Sequence, residues 1–285
     1  MVHGVNSTNL LAESRDIRRL VSPSRELFER EHVKRHLPCI IEGLSAEWPS
    51  RRLWDVEYLR REIGDIEVPV TRTQGARSVF SDDARQVIRM RVSDFLDLDH
   101  SPSAPYKHLM MQRNMDEIFP SLRKDISLPP LFDPRHLFQT NFWYAPGTNV
   151  TLLHCDFASN LLTMIKGRKR LILFPPNAPV YPHPVKGNFA QVRIEEPDLT
   201  KFPRFTRKGS IDLTLAEGET LYIPGLWWHQ VYSEPSMAVN FWWWPRGIAL
   251  AKTVCSRQMI GFSLKRARQK IAQTLRGGGP EKGSY

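Results

Sequence analysis

The sequence predicts a mainly β fold: a barrel of short strands with helices packed outside it. Two observations carry this. From about residue 138, short apolar or alternating runs are broken at close intervals by Gly and Pro turn signals, as in an all-β sandwich or barrel. Helical periodicity is confined to the N-terminal third and the last few dozen residues. With 285 residues, 41% hydrophobic and 25% charged, the chain has ordinary globular usage and can bury a large core without cross-links.

Taken in order, residues 1–22 are polar and predict a loose start. Residues 23–37 (PSRELFEREHVKRHL) predict a helix, opened by Ser22-Pro23 at N-cap and N1 and ended by Pro38. Residues 39–44 (CIIEGL) read as a short strand. Residues 54–63 (WDVEYLRREI) form a second amphipathic helix, closed by Gly64. Residues 66–72 (IEVPVTR) alternate like a strand, and Pro69, which has no N–H to donate, argues for an edge position. A third short helix is expected over 93–98. Residues 101–136 hold Pro102, Pro105, Pro120, Pro129, Pro130 and Pro134. They predict loops with short helical turns, either wrapped over the core or facing a substrate.

The barrel strands are expected at 138–144, 149–154, 159–166, 169–174, 211–215, 220–223, 229–233 and 237–243, with turns at Pro146-Gly147, Gly167, Pro175-Pro176, Gly218 and Pro224-Gly225. Residues 251–276 look helical. Ile260, Leu264, Ala267, Ile271 and Leu275 make one apolar stripe, and Lys265, Arg266, Arg268, Lys270 and Arg276 lie mostly off it. That stripe is a candidate homodimer surface. The expected organisation is a helical and strand region at 1–110 packing on the barrel, a catalytic core at 111–245, and a basic helix and tail at 246–285.

Lys plus Arg is 40 and Asp plus Glu is 30, a net charge of +10. This favours polyanionic partners and says nothing about fold. Cys39, Cys155 and Cys255 are odd in number and far apart, which argues against a disulfide framework or a thiolate zinc site. No secretory leader pattern and no run near the ~20 apolar residues of a membrane helix is visible. A soluble protein of the cytoplasm or nucleus, with no membrane partner, is expected.

His154 and Asp156 are separated by one residue. On a strand, residues i and i+2 share a face, so both would point into the barrel. His229, opening a later strand, is the best placed third group. Two imidazoles and one carboxylate on one side of a metal are the facial triad of non-haem Fe(II), with positions left open for cosubstrate and O2. Lys169 follows the Gly167 turn, and a hairpin there would bring its ammonium near the metal to hold a dicarboxylic cosubstrate. Thr151 could donate to the same carboxylate. The alternative for Lys169 is a place in the solvated run 166–170.

The runs NVTLLHCDFASNLLTMIKGRKRLILFPP (149–176), IEEPDLTKFPRF (194–205), AEGETLYIPGLWWHQV (216–231) and VNFWWW (239–244) resemble the cupin-like JmjC oxygenases. The match is strong over about 138–245 and weaker over PCIIEGL…WP…LW…YL near the start. The resemblance implies a double-stranded β-helix and a hydroxylase dependent on Fe(II) and 2-oxoglutarate. It implies His154, Asp156 and His229 as iron ligands, and Thr151 and Lys169 on the distal carboxylate of 2-oxoglutarate. Asn160 and Asn240 match polar positions near the cosubstrate, and Trp242 an aromatic position lining the pocket. Where relatives often carry a cosubstrate-binding Tyr, this chain has His108, with Tyr106 two residues earlier. Two branches compete for the substrate. FPSLRKDISLPPLF (119–132) is more similar to the tRNA wybutosine hydroxylase than to the JmjC protein hydroxylases, and the charge fits phosphate contacts. A modified tRNA nucleoside is therefore the expected substrate. A peptidyl side chain is the alternative, and a non-catalytic cupin binding module the second.

Overall fold

The computed structural model describes residues 16–74, 85–183 and 188–244. Eleven strands are arranged as β1 (Arg19–Val21), β2 (Cys39–Glu42), β3 (Glu67–Gln74), β4 (Arg85–Arg91), β5 (Tyr106–Asn114), β6 (Leu137–Ala145), β7 (Asn149–Cys155), β8 (Ser159–Phe174), β9 (Ile211–Leu215), β10 (Thr220–Ile223) and β11 (Trp228–Trp243). Two of them, β8 and β11, run 16 residues each and pair antiparallel along nearly their whole length. Together they build two walls.

In the larger wall the order is β1-β2-β10-β8-β11-β6-β5-β3-β4. It uses the first half of β8 and the second half of β11: β10 pairs Asn160–Thr163, and β6 pairs Ser236–Trp243. The smaller wall uses the other halves: β7 pairs Trp228–Ser233, and β9 pairs Lys169–Leu173. This is the expected mainly β jelly roll.

The walls meet at a bend. Gly167 in β8 has φ +73, and a Cβ there would lie 2.1 Å from the Pro235 carbonyl oxygen of β11, so a side chain is excluded twice over. The Gly167 hairpin read from the sequence is therefore a kink inside one continuous strand. Likewise 229–233 and 237–243 are two halves of β11, whose pairing with β8 is irregular between Ser233 and Ser236 and again between Met237 and Ala238.

The bend also flips the alternation. In β8, Asn160 and Leu162 face inward before it, and Lys169 and Leu171 after it. In β11, His229, Val231 and Ser233 face inward before it, and Asn240 after it. Inward aliphatics from both walls, among them Leu162, Met164, Leu171, Leu173, Leu213 and Ala238, form the barrel core. Outward residues of the large wall (Leu161, Ile165, Tyr222, Val239, Phe241) are buried beneath the N-terminal segments through Phe28, Trp48, Trp54 and Leu59. Outward residues of the small wall (Ile172, Phe174, Trp228) are covered by Val180, Val192, Ile194, Phe202 and Phe205. Each such aromatic or aliphatic side chain contributes roughly 1.5–3 kcal/mol by leaving water. A buried carboxylate ties the outer layer down: Trp54 Nε1 and Tyr58 OH donate to Asp125 at 2.9 and 2.6 Å.

The N-terminal region differs from expectation in detail. Residues 19–21 are ordered as a parallel strand on β2 rather than loose. The first helix is short, Arg25–Phe28 followed by a wider π turn over Glu29–Val33. The second runs Val56–Ile63 with Asp55 as N-cap, its side chain accepting from the Tyr58 N–H at 2.7 Å. Helix Val92–Leu96 stands where the third was expected. β3 is not an edge strand, since it pairs β4 and β5. Pro69 nevertheless has a neighbour on one side only, because β5 joins from Thr71 onward.

The segment 101–136 is not mainly loop: β5 runs through it and across residue 110. Neither β5 (YKHLMMQRN) nor β4 (RQVIRMR) carries the β-branched alternation that marks a strand. Cys39 and Cys155 are buried free thiols. The predicted helix at 251–276, its apolar stripe and Cys255 lie outside the described residues. Among the described residues no helix is long and apolar enough to cross a membrane.

Candidate metal centre

β7 and β11 are hydrogen-bonded neighbours, and His154 stands directly opposite His229 in their register. Such cross-strand partners have Cβ atoms roughly 4.5–5.5 Å apart, so two imidazoles on one face must meet. Their ring centroids are 4.2 Å apart. Asp156, just past the end of β7, brings its Oδ2 to 3.8 Å from His229 Nε2. Ligand-type atoms of His154, Asp156 and His229 all lie within 4.8 Å of one another.

The tautomers follow from the backbone. His154 Nδ1 lies 2.7 Å from the Leu152 carbonyl oxygen, and His229 Nδ1 lies 3.0 Å from that of Trp227. A carbonyl only accepts, so each Nδ1 carries the proton and each Nε2 keeps its lone pair. Burial, with His229 beside it, pushes His154 down to about 3, so the imidazole is neutral at any ordinary pH. Burial pushes the Asp156 carboxyl up from its usual range, and His229 pulls the other way. A carboxylate among buried imidazoles, with no ammonium or guanidinium against it among the described residues, is costly to bury. A divalent cation offsets that cost, and the donor set of two nitrogens and one oxygen fits Fe(II).

The triad opens into a pocket lined also by Thr151, Asn160, Lys169, Ser233 and Asn240. Lys169 is 6% exposed, which removes the solvated alternative. It reaches the lumen because β8 continues past the Gly167 kink beside β11, and not through a hairpin. Its Nζ donates to Ser233 Oγ at 2.6 Å. Burial alone pushes the ammonium down from 10.5 to about 8. A buried cation held by one hydroxyl is matched to an anion that arrives later. Leu109, Leu162, Leu171, Ile223 and Val231 make the rest of the wall apolar.

Three expected residues stand apart from this cavity. Tyr106 and His108 do not line it, whereas Leu109 and Met110 of the same strand do. Tyr106 is exposed, with Arg72 over its ring. Trp242 shares the inward row of Asn240 but lies outside the lining, its ring 6.2 Å from that of Phe138. Conversely, Ser233 and Trp143 line the cavity and were not anticipated. Ser233 had a legible signal, since 229, 231 and 233 alternate on one strand. His32 and His100 bond the backbone oxygens of Leu37 and Phe95, as packing histidines do.

Fold and site together define a cupin-type barrel with a His-Asp-His group that could hold a metal ion. The model of the cupin-like domain family matches residues 24–247, and the chain belongs to that family. It is 31% identical over 254 residues to lysine-specific demethylase 8 of Danio rerio, covering 85% of this chain and 61% of the relative. It is 29% identical over 244 residues to tRNA wybutosine-synthesizing protein 5 of Homo sapiens, covering 79% and 76%. It is 28% identical over 252 residues to the human bifunctional peptidase and (3S)-lysyl hydroxylase JMJD7, covering 76% and 80%. The chain spans about half to three-fifths of the length of the lysine-specific demethylases it matches.

Proposed function

We propose that this chain is an Fe(II)- and 2-oxoglutarate-dependent hydroxylase. The convergence of His154, Asp156 and His229 in one pocket, with the Lys169 ammonium buried in the same lining, carries the reading. When bound, Fe(II) and 2-oxoglutarate supply oxidative decarboxylation to succinate and CO2, with one oxygen atom of O2 placed in a substrate C–H bond. The chain's own residues do the rest. The three ligand groups hold the metal on one side only, and their tautomers are set by Leu152 and Trp227. Lys169, braced by Ser233, takes the distal carboxylate of the cosubstrate, with the Thr151 hydroxyl beside it. The aliphatic wall keeps water out and strengthens each of these contacts.

Protein loaded anaerobically with Fe(II) is expected to bind 2-oxoglutarate, and in air to release succinate slowly without substrate. Unchanged turnover in His154→Ala would remove the assignment.

For the substrate we carry forward a modified tRNA nucleoside, supported by the net charge of +10 and the 119–132 segment. A peptidyl side chain is the second reading, supported by relatives named as a lysine-specific demethylase and a lysyl hydroxylase. tRNA affinity measured at about 50 and 200 mM salt separates them. A tRNA enzyme loses powers of ten if roughly six or more phosphates are contacted. Absent or flat binding favours the peptide.

A further inference from the structure

Three side chains in the cavity wall form a directed chain of hydrogen bonds. Trp143 Nε1 donates to Asn240 Oδ1 at 2.7 Å, and Asn240 Nδ2 donates to Asn160 Oδ1 at 2.9 Å. All three residues line the cavity, and Asn160 and Asn240 are buried. The strand register builds this row: Trp143 on β6 lies opposite Ala238 on β11, Asn240 on β11 opposite Leu162 on β8, and Asn160 opposite Trp242.

An amide's oxygen and nitrogen are nearly interchangeable in shape, so a pair of asparagines facing each other has two senses. The indole removes the ambiguity. Its N–H can only donate, so it must meet the oxygen of Asn240. The Asn240 nitrogen is then turned to Asn160, which must meet it with its own oxygen. Asn160 Nδ2 is left with no partner among the described residues, on a side chain that borders the cavity.

We propose that Trp143 is a positioning residue that locks Asn160 as a hydrogen-bond donor toward the cosubstrate. It thereby makes this part of the wall selective for a carboxylate or keto oxygen. The proposal rests on the 2-oxoglutarate reading and deepens it: the donor's direction is set two residues away, by a group that need not touch the cosubstrate. Without the indole N–H both amides can invert together. Asn160 would then present its oxygen to an anion, losing an attraction and adding a repulsion.

The test is a double-mutant cycle on 2-oxoglutarate binding, read by calorimetry with Mn(II) as the inert metal. Trp143→Phe is expected to weaken 2-oxoglutarate about tenfold, the lower end of a hydrogen bond to a charged group. Mn(II) affinity should stay within about twofold. Asn160→Ala should weaken 2-oxoglutarate by a similar factor. In the Asn160→Ala background, Trp143→Phe should add nothing, because the group it orients is gone. Should Trp143→Phe fold poorly, replacing the indole at 143 by benzothiophene deletes the N–H while keeping the shape.

Losses that multiply, or a Trp143→Phe protein that binds 2-oxoglutarate as the parent does, would overturn the relay. A parent protein that takes up Mn(II) but no 2-oxoglutarate at all is a different result. It would overturn the cosubstrate reading, and the relay's role with it.

Discussion

Replacing Lys169 with Met is expected to make the ligand-free protein more stable while ending its binding of 2-oxoglutarate. Lys169 is 6% exposed, and its one hydrogen bond among the described residues is to Ser233 Oγ at 2.6 Å. Burial holds the ammonium at about 8 against 10.5 in the unfolded chain. At 1.36 kcal/mol per pH unit, that gap corresponds to roughly 3 kcal/mol of stability lost to keeping a bare cation inside. Removing the bond to Ser233 returns about 1 kcal/mol of that, so the net gain near neutral pH is about 2 kcal/mol. Met fills most of the same volume and keeps the wall apolar.

The sign with pH distinguishes this from a packing effect. Below pH 8 both states carry the charge, and the native state bears the full cost. Between about 8 and 10.5 the unfolded chain binds more protons than the folded one, so parental stability rises with pH. The advantage of Lys169→Met should therefore be largest at pH 7 and shrink markedly by pH 9.5. Chemical denaturation of both proteins at the two pH values, without cosubstrate, measures it. Added 2-oxoglutarate should stabilise only the metal-loaded parent. A variant that is less stable at pH 7, or a difference that does not move with pH, would refute the idea of an unpaired buried ammonium waiting for its anion.

Gly167→Ala must force a Cβ to 2.1 Å from the Pro235 oxygen at φ +73, so it should cost well over 1 kcal/mol and lower the urea midpoint. Asp125→Ala strips the acceptor from Trp54 Nε1 and Tyr58 OH, two buried donors at about 1–3 kcal/mol each. A loss of roughly 3 kcal/mol is expected at an unchanged denaturant slope, and a loss below 1 would show that water reaches them. Mn(II) at about 100 times its dissociation constant should stabilise the parent by about 2.7 kcal/mol, seen as a raised Tm. His154→Ala should abolish that response, and a preserved shift would place the metal elsewhere.

The clustering of the three candidate metal ligands was legible because its rule is local. His154 and Asp156 are two residues apart near the end of a strand, and His229 opens a strand of its own, so period-two alternation suffices to aim them. The barrel was legible for a similar reason, since runs such as TLYI at 220–223 and IDLTL at 211–215 carry strand chemistry in their own composition. β5 was not, because YKHLMMQRN has no β-branched residue and owes its strand to pairing with β3 and β6. Tyr106 and His108 went astray with it. Their place in a family pattern said nothing about which face of an unrecognised strand they occupy.

The deeper gap concerns Gly. Gly167 read as a turn signal, and a turn would end one strand and start another. Inside a strand the same residue can instead mark a bulge, and then the chain continues while its alternation slips by one. That slip decides the site. His229 and Asn240 are 11 residues apart, an odd number, and on an unbroken strand they would face opposite ways. They line one cavity because the irregularity between Ser233 and Ser236 reverses the phase. A second slip, between Met237 and Ala238, inserts Ile165 into β8 between Met164 and Lys166 and does the same for Asn160 and Lys169, nine residues apart. The wall that carries the triad and Lys169 and the wall that carries Asn160 and Asn240 are thus put in register by two slips in the pairing of β8 with β11. Gly167, where the Pro235 oxygen leaves no room for a Cβ, lies between the two slips, and the slips let both halves of each strand face one cavity.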